Sequence, residues 1–200
     1  MRDLITADDV RGVAPGGEIR ASAGALVTPW AREIAATRGV RIVLGSDRVQ
    51  PAAVALGSDH SGYELKEKLK EHLTRQGHSF HDFGAFSPDP VDYPDVALAV
   101  ARAVQSRRAR CGILVDGAGI GSAIAANKLR GIRAALCIDA IAARNAREHN
   151  DANVLTLGSR WVVVGAMHEI VDVFLAAQCT EPRHRRRVDK ISAIEEANLR

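Results

Sequence analysis

From residue 53 onward the chain alternates between short apolar runs and longer stretches of helical periodicity, and few folds accept that pattern. Strand-like runs fall at 53–57, 78–83, 111–115, 132–138 and 153–157. Helical patterns fall at 63–75, 95–106, 120–129, 140–148, 166–177 and 187–199. In the first of these, Leu65, Leu69 and Leu73 share one face while Lys66, Lys68 and Lys70 lie off it. Strands that alternate with helices form right-handed βαβ units. The expected fold is therefore α/β: a Rossmann-like three-layer αβα sandwich on a five-stranded, mostly parallel sheet. Aromatic residues make up only 4% of the chain, so the core must rest on Ala, Val, Ile and Leu.

Residues 1–44 read as a small N-terminal extension, with 45–52 as a linker and 53–200 as the main domain. In the extension, Asp8, Asp9 and Val10 sit in a short helical pattern that ends at Gly12 and Pro15-Gly16-Gly17. Thr28 is an expected N-cap, Pro29 the first helical residue, Gly39 the C-cap and 40–44 a strand. Some 40 residues provide little core of their own.

In parallel α/β sheets, ligands lie beyond the C-terminal ends of the strands. Here that rule selects Ser58-Asp59-His60, Asp116 to Gly121, Asp139 and Ser159-Arg160. Asp116-Gly117-Ala118-Gly119-Ile120-Gly121 is the most pointed of these segments. Three glycines in five residues let backbone N–H groups converge on an oxyanion or phosphate, and a carboxylate stands at the mouth of the turn.

The net charge of +3 is too small to imply nucleic acid. The run Arg183-His184-Arg185-Arg186-Arg187 is open to three readings: a solvated face, a small-anion site or a nucleic-acid contact. Cys111, Cys137 and Cys179 have neither disulfide nor zinc spacing, and Cys111 and Cys137 read as inert core thiols. No apolar run approaches a membrane span, and the first residues carry no signal-peptide core, so a cytoplasmic location is expected. No metal or cofactor is expected, and neither nucleic acid nor a membrane is an expected partner.

Six segments, taken in order, resemble one family. They are Gly57-Ser58-Asp59-His60-Ser61-Gly62, Asp92-Tyr93-Pro94, Gly117-x-Gly-x-Gly121 with Ala125-Ala126-Asn127-Lys128, Arg144-x4-His149-Asn150-Asp151-x-Asn153, Gly158-Ser159-Arg160, and Arg183-His184-x-x-Arg187-Val188. The family is the type-B ribose-5-phosphate isomerases, which include the galactose-6-phosphate isomerase subunits. The resemblance spans roughly 53–197. It implies metal-independent aldose–ketose isomerisation of a phosphorylated sugar through an enediolate, with ribose 5-phosphate and ribulose 5-phosphate as the favoured pair. It also implies dimers or tetramers whose sites are shared between chains.

On the matching positions, Asp59 would orient the sugar and help open its ring, and His60 would contact sugar or phosphate. Tyr93 would line the pocket. The loop Gly117, Ala118, Gly119, Ile120 and Gly121 would give N–H donors to the enediolate oxygen. His149 would open the ring and Asn150 would hold a hydroxyl. Arg160 would assist at the ring or phosphate end, and Arg183 and Arg187 would hold the phosphate.

The chain departs from the family at the base. Many members have Cys where Asp116 stands, others a Glu where Ser122 stands, and the usual Ser or Thr at Ala118 is missing. Asp116 is therefore the expected base. An Asp is already ionised near neutral pH and needs no hydroxyl to activate it. It is a weak base for a carbon acid unless burial strengthens it.

Other roles for the same residues stay open at this stage. Asp116 can cap the following helix, Asp59-His60 can be a helix start, and His149 can cap a C-terminus. An isomerase of a six-carbon or deoxy sugar phosphate and a non-catalytic phosphosugar-binding or scaffold protein also remain open. His72, His78, His81 and His168 match nothing in the family and read as surface or packing residues. Within 1–44, Ile5 to Val10 and Gly24 to Arg32 are similar to short segments attached to enzymes of bacterial microcompartments. That likeness implies a shell or cargo partner and a location inside such a compartment. The alternative is a module that packs on its own catalytic domain or extends the oligomer interface.

Overall fold

A computed structural model describes residues 2–44 and 53–198, and the expected linker at 45–52 lies outside the described residues. The chain divides into two compact units, Met1–Gln50 and Pro51–Arg200.

The first unit is β1 (Arg2–Ile5), α1 (Ala7–Arg11), β2 (Glu18–Val27), α2 (Pro29–Arg38) and β3 (Arg41–Leu44). Its sheet has the order β1-β2-β3, with both pairings parallel. The Thr28 hydroxyl accepts the Ala31 N–H at 3.2 Å, and Gly39 closes α2 in the left-handed conformation at φ 63°. The unit has a core of its own, built on Ile5, Val10, Ile19, Ala21, Ala31, Ala35 and Val40. The sequence pattern marks neither β1 nor β2 as a strand. Glu18–Val27 is rich in Ala and carries a Gly, so its strand character comes from pairing on both edges and not from intrinsic propensity.

The second unit alternates as its periodicity requires. It runs β4 (Val54–Ser58), a 3-10 turn His60–Gly62, α3 (Tyr63–Arg75), β5 (Phe80–Asp82), α4 (Tyr93–Gln105), β6 (Cys111–Asp116), α5 (Ile120–Ala126), β7 (Ala134–Leu136), α6 (Ala140–Asn150), β8 (Val154–Gly158), α7 (Val164–Ala176) and α8 (Pro182–Asn198). The five-stranded sheet has the order β5-β4-β6-β8-β7, and every pairing is parallel. The central strands β4, β6 and β8 are buried along their whole length.

One face of the sheet packs Val54, Leu56, Ile113, Val115, Leu155 and Leu157 against α3, α6 and α7. The other packs Ala55 and Leu114 against α4 and α5. The three-layer sandwich is the expected one. Several boundaries differ from expectation, and two of them bear on the site: α8 begins at Pro182 instead of 187, which places the arginine run inside a helix, and α6 extends to Asn150, so His149 lies within its last turn. Proline at a helix start leaves no donor unsatisfied, which explains the earlier beginning of α8.

Burial pushes the Cys111 thiol up, and pushes that of Cys137 up to about 11. All three cysteines are free and buried.

Between α3 and α7, His72 and His168 stack with ring centroids 4.1 Å apart, and His72 Nε2 lies 2.6 Å from Asp172 Oδ1. His168 Nε2 is buried without a hydrogen-bond partner. Burial, then His72 and Arg75, lower the His168 pKa, while Asp172 opposes them. The unfolded chain therefore binds this proton more readily. The stabilisation is present above the ordinary imidazole value of 6.5 and is lost as pH falls through it towards the lower folded value. Thermal melting between pH 7.5 and 5.5 should show a falling Tm that falls less in His168→Phe; equal slopes would show that His168 contributes nothing to acid sensitivity.

Candidate functional site

The candidate site is built where β4, β6 and β8 end side by side. Asp59 follows β4, and its backbone N–H donates to the Val115 carbonyl at 3.2 Å, tying the two strand ends together. Its Oδ1 accepts the Ser61 hydroxyl at 2.7 Å and the Gly62 N–H at 2.9 Å, so Asp59 does cap the 3-10 turn. His60 is exposed, and its Nδ1 lies 3.2 Å from the Val91 carbonyl and 3.3 Å from the Val91 N–H. That contact holds the ring by one edge and leaves Nε2 for a ligand.

Asp116 closes β6 and is 4% exposed. Its Oδ1 accepts the N–H of Ala118 at 2.7 Å and that of Gly119, and its Oδ2 accepts the N–H of Ser122 at 3.0 Å. The expectation that the whole loop offers its N–H groups to a substrate oxygen is therefore corrected. Ala118 and Gly119 are taken by the chain's own carboxylate, because a side chain at the mouth of a turn reaches the donors two and three residues on. Among the described residues, the N–H groups of Gly117, Ile120 and Gly121 have no intramolecular acceptor. Gly119 adopts φ +76°, and a Cβ there would stand 2.5 Å from Leu136 Cδ1, so this turn admits only glycine.

β8 completes the group. The Ser159 N–H donates to the Asp116 carbonyl at 2.8 Å, and the Arg160 N–H to the Gly117 carbonyl at 3.2 Å. The Ser159 hydroxyl donates to the Ser61 carbonyl at 2.9 Å. A Cβ on Gly117 would lie 3.6 Å from Arg160 Nε, so the guanidinium stands over the loop. The Tyr93 ring, at the start of α4, occupies the space a Cβ on Gly121 would need. Asp59, His60, Tyr93, Asp116, the loop and Arg160 thus form one cluster. Ser61, Ser122 and Ser159 belong to it as well and had no assigned role.

The remaining candidates form a second cluster. In a βα repeat each helix runs back against its strands. α6 starts beyond the C-terminal end of β7 and returns to the start of β8, about 16 Å along its 11 residues. His149 and Asn150 therefore lie at the opposite edge of the sheet from Asp116. There the Asn150 carbonyl accepts from Arg133 Nε at 3.1 Å. The His149 ring stacks on His184 at 4.1 Å between centroids, with 18° between planes. Arg183 and Arg187, both exposed, sit four residues apart on the same helix as His184. A cavity of about 530 Å³ opens beside Asn150 and the second half of α8, lined by Asn127, Arg133, Asn150, Ile191, Ile194 and Glu195 among others. Among the described residues no hydrogen bond, ion pair or ring contact joins the two clusters. No group of side chains with metal-binding arrangement occurs among the described residues.

Residues 54–191 match the model of the Ribose/Galactose Isomerase family. This chain belongs to that family. Ribose-5-phosphate isomerase B of Escherichia coli (strain K12) is 44% identical over 143 residues, which cover 72% of this chain and 96% of that protein. The solved ribose-5-phosphate isomerase B of Clostridium thermocellum superposes with TM-score 0.71 at 46% identity, covering 72% of this chain and 98% of the other. The type B ribose 5-phosphate isomerase of Trypanosoma brucei gives TM-score 0.68 at 46% identity, covering 71% and 97%. The residues matched to the family lie within the Pro51–Arg200 unit, and the chain is an isomerase of this family. Among the described residues no helix is long and apolar enough to cross a membrane.

Proposed function

We propose that the Pro51–Arg200 unit interconverts ribose 5-phosphate and ribulose 5-phosphate through an enediolate, with no metal requirement. One observation carries this reading within the family: a buried carboxylate stands beside three N–H groups without intramolecular acceptors, where three parallel strands end. His149 gives a proton to the ring oxygen, Asp59 takes the proton that the anomeric hydroxyl loses, and the C1–O4 bond breaks. Asp116 Oδ2, which accepts a single N–H, then takes the proton from C2 and returns it at C1. The N–H groups of Gly117, Ile120 and Gly121 hold the oxygen on which charge develops. Asp59 orients the sugar, His60 and Arg160 contact its polar ends, Tyr93 lines the pocket and Asn150 holds a hydroxyl. Arg183 and Arg187 hold the phosphate.

Because the two clusters lie at opposite edges of one sheet, each needs the complementary half from another copy. The exposed apolar residues Ile120, Ile124, Ile138 and Ile141 favour that association, as a homodimer or a pair of dimers. The 1–44 unit serves as a partner-binding module, for a microcompartment shell or its cargo.

The direct check is turnover of ribose 5-phosphate by the purified protein with chelator present. Turnover in the enzyme range, about 1–1000 per second, is expected. A second reading has its own observation: three N–H groups already bonded to Asp116 are what a helix-capping carboxylate in a non-catalytic phosphosugar-binding protein would show. Thermal stabilisation by ribose 5-phosphate without turnover would decide for that reading.

A further inference from the structure

His149 is assigned the ring-opening step, yet nothing of the usual kind orients it. An acid/base imidazole is commonly held through one nitrogen by a carboxylate or carbonyl. Here His149 is half-buried, and neither of its nitrogens has a hydrogen-bond partner among the described residues. What touches its ring is the flat face of His184, 4.1 Å away and 18° from parallel. His184 projects from the first turn of α8 and is 5% exposed, and both its nitrogens are buried without a hydrogen-bond partner. Its ring is thus set in the packing between α8 and α6 and presents a face, not an edge, to His149.

We propose that His184 is a positioning residue for ring opening: its face fixes the plane of the His149 imidazole and leaves both His149 nitrogens free to reach the sugar. This rests on the isomerase reading above. The charges around the pair are consistent with it. Burial first, then His149, Arg183 and Arg187, lower the His184 pKa, with Glu181 alone opposing them. Two stacked imidazoles repel when both are charged, and the lowered pKa keeps His184 neutral beside its partner.

The role separates from the rest of the reaction because ring opening and enolisation are distinct steps and only the first needs it. Ribose 5-phosphate is cyclic and must be opened. Ribulose 5-phosphate has its C5 oxygen phosphorylated and stays open, so exchange of its C1 proton with solvent deuterium needs only the base. His184→Ala should lower kcat on ribose 5-phosphate by about 10- to 100-fold, the cost of a misplaced acid. KM and the rate of deuterium exchange into ribulose 5-phosphate should stay within about threefold of the parent enzyme on the same grounds. His184→Phe, which keeps a flat ring, should recover most of the loss.

Retained exchange also serves as the control that the variant is folded. If exchange and isomerisation fall together in both variants, or His184→Phe is as impaired as His184→Ala, the positioning role is overturned. A rise in KM alone would overturn it in favour of a phosphate contact. A parent enzyme with neither activity would instead overturn the isomerase reading, and this inference with it.

Discussion

Asp116→Asn is expected to lower kcat on ribose 5-phosphate by about 10²- to 10⁴-fold, the usual contribution of a positioned base. The amide keeps an oxygen for the N–H groups of Ala118 and Gly119, so the turn should survive. It cannot accept a proton from carbon. On the Oδ2 side an NH₂ would meet the Ser122 N–H, donor against donor, and some melting stability should be lost there. The phosphate is assigned to Arg183 and Arg187 in the other cluster, so affinity for the sugar phosphate should change little. Steady-state kinetics with ribose 5-phosphate, together with ligand-dependent thermal shift, separate the two quantities. Near-normal turnover would show that Asp116 only ties down the loop. Lost turnover with lost affinity would show that the whole loop had collapsed.

Gly62→Ala is expected to have the largest effect on stability near the site. A Cβ there would stand 2.2 Å from the Val115 carbonyl oxygen and 2.6 Å from its carbon. Both are backbone atoms of a central, fully buried strand and cannot rotate away. The same carbonyl accepts the Asp59 N–H, and Asp59 in turn accepts the Gly62 N–H. Pushing the turn off β6 therefore breaks the contact that sets Asp59 and His60 at the mouth of the site. Overpacking of this kind costs about 2–3 kcal/mol, which for a chain of this size lowers Tm by about 5–10 °C. Turnover should fall with it, since Asp59 and His60 move. An unchanged melting curve would mean that the turn can slide without loss, and that the close packing of His60–Gly62 on β6 is not what places these two residues.

Much of the second unit was legible in the sequence because each of its signals is local. Leu65, Leu69 and Leu73 mark a helix face, and Cys111 to Val115 mark a buried strand. The rule that ligands gather past the strand ends selects Asp59, Asp116 and Arg160 from the sequence alone. What was not legible depends on partners distant in sequence or on side-chain reach. β2 is rich in alanine, a weak strand former, and becomes a strand through two neighbours. The stacks His72–His168 and His149–His184 join separate helices. No spacing rule announces that the Asp116 carboxylate folds back on its own turn. The division of the site residues between two edges follows from the direction in which α6 runs, which only the assembled sheet reveals.

The substitution at the head of the glycine turn also changes which chemicals can damage the site. A thiolate in such a turn would be open to peroxide and to alkylating agents, and oxidation through the sulfenic to the sulfinic state would end its use as a base. This chain carries a carboxylate there, which neither reagent attacks under mild conditions. Its three thiols are buried, and burial disfavours the thiolate of Cys111 and Cys137. With Asp116 as the proposed base, turnover is expected to survive oxidants and electrophiles that would end the use of a thiolate.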